Sequence, residues 1–294
     1  MESETPTRSE SLGDIRTMSP EEHWRHFAAS WRALKTYTYL GKGTPFLDIG
    51  VDRETMPLRH DMRNSTGGVM ATPLCILAPE PWWRDDECVP APVTMSYAIL
   101  DPGHGVRRLE VLREVLSVGR QMGFSRSRIV DADDHGHVIA LSTGSGVSLG
   151  DVPPGFELID NPVTELVDSP NLPRLRDVFG VIPGPEHTVQ IDKVTPAISS
   201  PHAALHQAAI NLVLEAAAID EIVRLTGSAD FQVEAWNVVM TKPGHVGPFV
   251  ARATVIGAGV SQLGIEATLT DSGHGGRIMA SVSATFRRVV TTSA

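Results

Sequence analysis

Alternating apolar and polar residues run through both halves of the chain. Each half contains one segment in which apolar residues clearly recur at every second position. Three further strand candidates follow it. In the first half these are 93–100, 106–119, 124–132 and 137–145, and in the second half 231–240, 249–259, 261–270 and 277–289. A period of two is typical of β-strands with one buried face. The pattern therefore predicts two sets of antiparallel strands.

A helix candidate precedes each set of strands, at about 66–79 and 201–225. Short lead strands are predicted before the helices, at 45–51 and 175–182, and a further strand at 187–194. In the first helix, Pro73 removes a hydrogen-bond donor and crowds the preceding turn. That helix is therefore expected either to start near Thr66 and be kinked, or to begin at Pro73 with Thr72 as its cap.

The second helix candidate has an unusual acidic residue. Its apolar stripe consists of Leu205, Ala208, Leu212, Ala216, Ile219 and Val223, and the solvent-facing side carries Glu221 and Arg224. Glu215 lies at the edge of the stripe, where a carboxylate is costly unless it is paired or neutral. Desolvation there raises its pKa, as is typical of a general base or nucleophile. The structural alternative is a glutamate that caps a neighbouring strand or pairs with an arginine.

Two short motifs recur between the halves. Pro-Gly-His at 102–104 returns at 243–245, and His-Gly at 135–136 returns at 274–275, so the two recurrences have almost the same separation. We read the His-Gly segments as hairpin turns. Recurrence in the same order predicts a duplication with units at 41–150 and 176–294 and a linker at 151–175. Residues 1–40 form a tail and an amphipathic helix, and Ser19 with Glu22 matches a capping box.

The predicted fold class is α+β, with each half a long helix wrapped by an antiparallel sheet of about five to six strands. This order of elements resembles the hotdog fold. The closest resemblance is to double-hotdog acyl-CoA thioesterases of the PaaI/TesB-like kind, and it covers about residues 40–290. The resemblance implies an asparagine before a His-Gly-Gly helix start, with an acidic residue nine positions after the histidine.

Each half keeps a different part of that motif. In the second half His206 occupies the histidine position and Glu215 follows nine residues later, while Gln207 and Ala208 replace the glycines. The resemblance implies that the acid of one unit faces the helix start of the other. His206 and Gln207 would then face Cys75, which stands where the first half should have its acid.

The first half keeps Asn64 and the pair Gly67-Gly68, while Thr66 replaces the histidine. The resemblance thus implies one composite site, in which Glu215 faces these four residues. Glu215, Asn64 and Gly68 are the candidate catalytic residues. Thr66, Gly67, His206 and Asn211 are the candidate substrate contacts.

The implied function is hydrolysis of an acyl thioester, with coenzyme A as part of the substrate and no metal or redox cofactor. A non-hydrolytic acyl-thioester or hydrophobic-ligand binding protein is the alternative, favoured by the lost motif residues. A hydratase is disfavoured because its signature is absent near both helices. Cys75 could be a nucleophile, but its apolar context favours an inert thiol. Arg126 and Arg128 share a strand face that could hold phosphates or simply face solvent.

Composition limits the partners and the cellular compartment that are expected for this chain. The formal net charge of −10 disfavours nucleic acid and mildly disfavours an acidic carrier protein. No apolar run approaches the ~18 residues of a membrane span, and the first residues lack a signal-peptide core. Two cysteines without metal spacing favour a reduced, cytoplasmic protein. The expected partner is a small-molecule acyl thioester, and a homo-oligomer is possible.

Overall fold

The structure is a computed structural model that describes residues 19, 22, 33–42, 53–78, 88–151, 166–200, 203–259 and 261–289. The predicted lead strand at 45–51 lies outside these residues, as does most of the predicted linker. Ser19 and Glu22 form the predicted capping box, in which the Ser19 N–H donates to the Glu22 carboxylate and the Glu22 N–H donates to the Ser19 hydroxyl. Within the described ranges, no helix is long and apolar enough to cross a membrane.

Four α-helices and eleven strands are described. The helices are α1 Lys35–Thr38, α2 Ala71–Leu77, α3 Leu175–Val178 and α4 Gln207–Thr226. The strands are β1 Arg53–Pro57, β2 Cys88–Ile99, β3 Arg108–Val118, β4 Met122–Asp131, β5 Val138–Asp151, β6 Ile182–Pro183, β7 Val189–Ile191, β8 Phe231–Met240, β9 Phe249–Ala258, β10 Gln262–Asp271 and β11 Arg277–Arg288.

All eleven strands belong to one antiparallel sheet in the order β1-β3-β4-β5-β2-β8-β11-β10-β9-β7-β6. The five strands of the first half lie on one side and the six of the second half on the other. They join where β2 pairs with β8, with Ser96 opposite Asn237. The predicted long strands are confirmed, because alternation is a local property of the sequence.

The predicted lead strand at 175–182 is wrong over its first part. Helix α3, Leu175–Val178, occupies this position, and only Ile182–Pro183 forms a strand. Leu175 and Phe179 are four residues apart and both buried, which is the spacing of one helix face. On α3 the Arg176 guanidinium is anchored by two hydrogen bonds to the Asp220 carboxylate of α4. These tertiary contacts favour a helix.

Helix α4 packs against both the second-half strands and helix α2. Its first twelve residues are buried on all sides, so the predicted single stripe understates its burial. Val223, which the stripe placed inward, is 39% exposed. A helix enclosed by a sheet on one side and a helix on the other buries residues on every face, so a single apolar stripe does not mark its buried side. The helix ends at Gly227, which adopts the left-handed conformation.

Helix α2 begins at Ala71, after Met70 as its cap. Neither predicted start, at Thr66 or at Pro73, is correct. Pro73 occupies the third helical position, inside the first turn, where a missing N–H breaks no intrahelical bond. Seven residues, Ala71–Leu77, are all buried. The proline therefore neither kinks nor starts the helix.

Candidate active site

The Glu215 side chain crosses from the second half to the start of the first-half helix. Its Oε1 atom accepts a hydrogen bond from the Ala71 N–H at 2.7 Å. Its Oε2 atom accepts from the Thr72 N–H at 2.9 Å and from the Thr72 hydroxyl at 2.6 Å. The carboxylate therefore caps helix α2 across the junction of the halves, where the helix dipole favours negative charge.

Burial dominates the electrostatics of this carboxylate. Glu215 is 2% exposed, and its desolvation raises its pKa, although the hydrogen bonds from Thr72 and Ala71 oppose that rise. The neighbouring Cys75 thiol is fully buried, and burial, reinforced by the negative charge of Glu215, raises its pKa well above the usual value. Cys75 is thus an inert thiol beside the acid, as its apolar context predicted.

The backbone N–H groups at the start of helix α2 are all engaged in hydrogen bonds. The N–H groups of Ala71 and Thr72 both donate to Glu215, and Pro73 has no N–H to offer. These are the first three positions of the helix, where N–H groups lack intrahelical acceptors. An incoming carbonyl oxygen can use the helix start only if the carboxylate releases one of these donors.

The Asn64 turn, residues 64–68, precedes the helix and is held by one side chain. Asn64 Oδ1 accepts from the Thr66 N–H at 3.0 Å, the Thr66 hydroxyl at 2.7 Å and the Gly68 N–H at 3.1 Å. The Gly67 N–H donates to the Asn64 carbonyl at 3.0 Å. The structure thus groups four predicted site residues in one turn, but the N–H groups of both glycines are already engaged.

Gln232 is a residue of this site that the sequence did not reveal. It is buried on β8, accepts from Asn64 Nδ2 at 2.8 Å and donates to the Val69 carbonyl at 3.0 Å. A Cβ on Gly68 would lie 1.9 Å from Gln232 Oε1, so any side chain at this position would displace the Gln232 amide. In the alternating pattern of β8, Gln232 falls on the same face as the polar Glu234, so nothing in the local sequence indicates that Gln232 is buried.

His206 and Asn211 support helix α4. His206 Nδ1 accepts from the Ala208 N–H at 3.2 Å and so caps the helix. Burial, together with the charge of Lys42, lowers the pKa of His206 to about 3, which keeps the ring neutral. Asn211 is fully buried, and its Oδ1 accepts from Trp236 Nε1 at 3.0 Å. Both residues lie on α4 or at its start, apart from the Asn64 turn.

The predicted residues therefore form three groups. Glu215 lies at the start of α2, the Asn64 turn lies against Gln232, and His206 with Asn211 lies along α4. Across the part of the chain that the structure describes, no hydrogen bond links Glu215 directly to the Asn64 turn. The turn and the carboxylate are connected through the backbone of residues 68–71.

The approaches to α2 and α4 repeat the same hydrogen bonds. The Asn64 N–H donates to the Gly68 carbonyl, and the Ser200 N–H likewise donates to the Ala204 carbonyl. The isolated bridge Arg63↔Val69 is matched by the bridge Ser199↔Leu205. Both correspondences make Asn64 equivalent to Ser200. Fewer residues lie between these two positions in the sequence than between the two Pro-Gly-His motifs.

This alignment corrects the equivalence drawn from the sequence. His206 corresponds to Met70, since both cap their helices, and not to Thr66. Cys75 corresponds to Asn211, and the counterpart of Glu215 lies outside the described residues. The shift arises because the second half has a longer stretch of chain between its helix start and its Pro-Gly-His turn.

The described residues contain no cluster of three or more His, Cys, Asp or Glu side chains arranged to hold a metal ion. The histidines of the repeated turns differ from each other. His104 is exposed, while His245 is buried and its backbone N–H donates to the Asp271 carboxylate at 3.0 Å. Arg126 is exposed and forms a two-pronged ion pair with Glu114.

No protein-family model and no curated protein matches the sequence. Solved structures do match the fold. A candidate thioesterase from Novosphingobium aromaticivorans is 15% identical, with a TM-score of 0.54, over 82% of this chain and 97% of that one. The acyl-CoA thioesterase II of Mycobacterium marinum is 14% identical, with a TM-score of 0.51, over 83% and 95%.

The 12:0-ACP thioesterase of Umbellularia californica is also similar. It is 11% identical, with a TM-score of 0.52, over 82% of this chain and 97% of that one. All three matches span most of both chains, so the similarity concerns the whole architecture. The chain has the hotdog fold found in thioesterase II and TesB-like proteins.

Proposed function

We propose that the protein hydrolyses acyl thioesters with Glu215 as the general base. The observation that carries this proposal is the buried carboxylate at the junction of the halves, whose pKa is raised by desolvation and which touches the start of α2. A carboxyl with a raised pKa accepts a proton near neutral pH more effectively than an ordinary one. The thioesterases named above support this reading through their shared fold.

In the proposed reaction Glu215 takes a proton from a water molecule. The water oxygen attacks the thioester carbonyl carbon, the C–S bond breaks, and the sulfur leaves as a thiol that receives the proton. As Glu215 becomes protonated, it accepts hydrogen bonds more weakly. The N–H groups of Ala71 and Thr72 can then stabilise the negative oxygen of the intermediate.

We infer that the carrier is coenzyme A. One structural relative is named for acyl-CoA and another for an acyl carrier protein, so the fold accommodates both. The net charge of −10 mildly disfavours an acidic carrier protein, which it would repel. The repeated hydrogen bonds at the helix starts support a tandem duplication of one hotdog unit.

A second candidate function is binding of an acyl thioester without hydrolysis. The saturated helix start favours it, because Glu215 already holds both backbone donors and Pro73 lacks one. In that case Glu215 acts as a cap between the halves, and the acyl thioester is bound but not cleaved.

Thiol release from a panel of acyl-CoAs, followed with a thiol reagent, tests these proposals. The parent protein is expected to release thiol, and Glu215→Gln to lose about 100-fold or more of that activity. Glu266→Gln is the matched control, because Glu266 is exposed on β10. If Glu215→Gln hydrolysed acyl-CoA as fast as the parent, Glu215 would not be the base. Saturable binding without thiol release would establish the binding function instead.

A further inference from the structure

The equivalent helix starts of the two halves meet different groups. At α2, the N–H groups of Ala71 and Thr72 donate to the carboxylate of Glu215, which belongs to the other half. Their counterparts are the first residues of α4, since both helices begin directly after their caps. The chain itself therefore shows that a helix start in this fold can hold a carboxylate from elsewhere in the molecule.

The start of α4 carries hydrogen-bond donors that have no acceptor among the described residues. Only the Ala208 N–H is engaged, by the His206 ring at 3.2 Å. The N–H groups of Gln207 and Ala209 make no hydrogen bond there, and neither does Gln207 Nε2. Gln207 is 8% exposed and Ala209 is fully buried. Buried N–H groups almost always have an acceptor, so these donors indicate one that a ligand supplies.

A positively charged side chain lies beside these donors. Lys42 is 9% exposed, and its ammonium lies 3.6 Å from Glu54 Oε1, which is too far for a hydrogen bond. In the described part of the chain the ammonium makes no hydrogen bond, and Glu54 Oε1 is buried without one. Burial lowers the pKa of the His206 ring to about 3, and the charge of Lys42 adds to this effect. The ammonium thus lies near the cap of α4 with its donors uncommitted.

The packing of the two helices also places this charge at the start of α4. Glu215 on α4 touches the start of α2, and the equivalence of the halves brings the end of α2 to the start of α4. At that end, Arg113 donates to the Leu77 carbonyl and to Glu54 Oε2, both at 2.7 Å. Two cations, Lys42 and Arg113, outweigh the single carboxylate of Glu54. The cluster and the positive end of the helix dipole therefore both favour an anion.

We propose that the start of α4 is a binding site for a small-molecule carboxylate. The N–H groups of Gln207 and Ala209 donate to the carboxylate oxygens, and the Lys42 ammonium balances their charge. The ligand takes the place at α4 that Glu215 takes at α2. Lys42 and Gln207 are both slightly exposed, so a small ligand can reach them from solvent.

This site is separate from the proposed base. It lies at the other helix start, and binding there requires no thioester, so the inference goes beyond the proposed hydrolysis and does not depend on it. The free acid that thioester hydrolysis releases belongs to the same class of ligand. A carboxylate fits better than a phosphate, because one uncommitted ammonium balances one negative charge and the equivalent start of α2 already holds a carboxylate.

Titration of the full chain with sodium acetate, compared with sodium chloride at equal ionic strength, tests the site. In amide proton–nitrogen correlation spectra, the resonances of Gln207 and Ala209 should shift with acetate and reach saturation. The amides of Ala71 and Thr72 are an internal control, because their N–H groups are already engaged by Glu215. Those two resonances should not follow the acetate concentration.

Two variants each remove one donor from the site. Lys42→Met should weaken acetate binding about tenfold or more, the value of one hydrogen bond to a charged group. Ala209→Pro removes an N–H group and should weaken binding to a similar extent; Pro73 at the same position of α2 shows that a helix start accommodates proline. Lys193→Met is the matched control, because Lys193 is exposed. Thermal unfolding establishes that each variant is folded.

Saturable shifts of Gln207 and Ala209 with acetate, weakened in Lys42→Met and Ala209→Pro and kept in Lys193→Met, support the site. Equal shifts with chloride, or acetate affinity that neither of the two donor variants weakens, overturn it. Saturation by inorganic phosphate without saturation by acetate overturns the assignment to carboxylates. If a donor variant does not fold, the parent's response to acetate, chloride and phosphate decides the inference.

Discussion

Replacing Thr72 with valine removes one of the three donors that Glu215 uses while leaving both backbone N–H groups in place. The lost bond, from the Thr72 hydroxyl to Glu215 Oε2, is 2.6 Å long and buried. Valine has nearly the same shape, so the perturbation is confined to this contact. Because the bond stabilises the ionised carboxylate, its removal should raise the pKa of Glu215 further.

The magnitude follows from the charge on the acceptor. A hydrogen bond to a charged group contributes about 1.5–3 kcal/mol, so Thr72→Val should lower the free energy of unfolding by about that amount at pH 8. At pH 4, below the usual carboxyl pKa of 4.5, the carboxyl is mostly protonated in both states. The loss should then be clearly smaller, since the hydroxyl no longer faces a charge.

Urea unfolding at pH 4 and pH 8 measures this difference, with Thr143→Val as the exposed control. In the acyl-CoA assay, the acid limb of the activity profile should move to higher pH in Thr72→Val, because more alkaline solution is needed to ionise the base. Equal stability loss at both pH values, together with an unmoved acid limb, would show that the hydroxyl does not stabilise the ionised carboxylate.

Three further predictions concern the same region. Because the pKa of Glu215 is raised in the folded state, its contribution to stability is complete below pH 4.5 and is lost as pH rises through the folded-state pKa. The stability difference between the parent and Glu215→Gln, measured by urea unfolding, should therefore shrink as pH rises over this range. Gly68→Ala should cost about 1–2 kcal/mol, since its Cβ displaces Gln232 and breaks the amide hydrogen bond; a double-mutant cycle with Gln232→Ala should be less than additive, and full additivity would contradict the contact. His206 should stay neutral between pH 5 and 8, because its pKa is lowered to about 3; NMR resonances of its ring that titrate in this range would contradict its role as an acceptor for the Ala208 N–H.

Local patterns predicted most of the sheet. Segment 231–240 matches β8, Phe231–Met240, residue for residue, because alternation reflects the pleat of each strand and needs no distant partner. The hairpin turns are equally local signals. The start of α2 was not predictable in this way, since its N–H groups are capped by Glu215, which is distant in the chain.

The equivalence of the halves shows a second limit of the sequence. Matching short motifs paired Thr66 with His206. The repeated backbone bonds instead pair Asn64 with Ser200, which places Met70 opposite His206. An insertion in one half changes the number of residues between equivalent positions. Motifs that lie outside the inserted segment do not reveal this change. Only the hydrogen-bond pattern could reveal the correct alignment.

The sequence by itself determined that Glu215 is a carboxylate on a buried helix face, because helical periodicity is set by nearby residues. It also determined the two sets of strands, one after each helix candidate. The tertiary structure alone decided what Glu215 touches. The pairing of β2 with β8 joins the halves and brings α2 against α4, so that the carboxylate meets the N–H groups of Ala71 and Thr72. Contacts between residues so far apart in the chain depend on the packing of whole units, which no local pattern encodes.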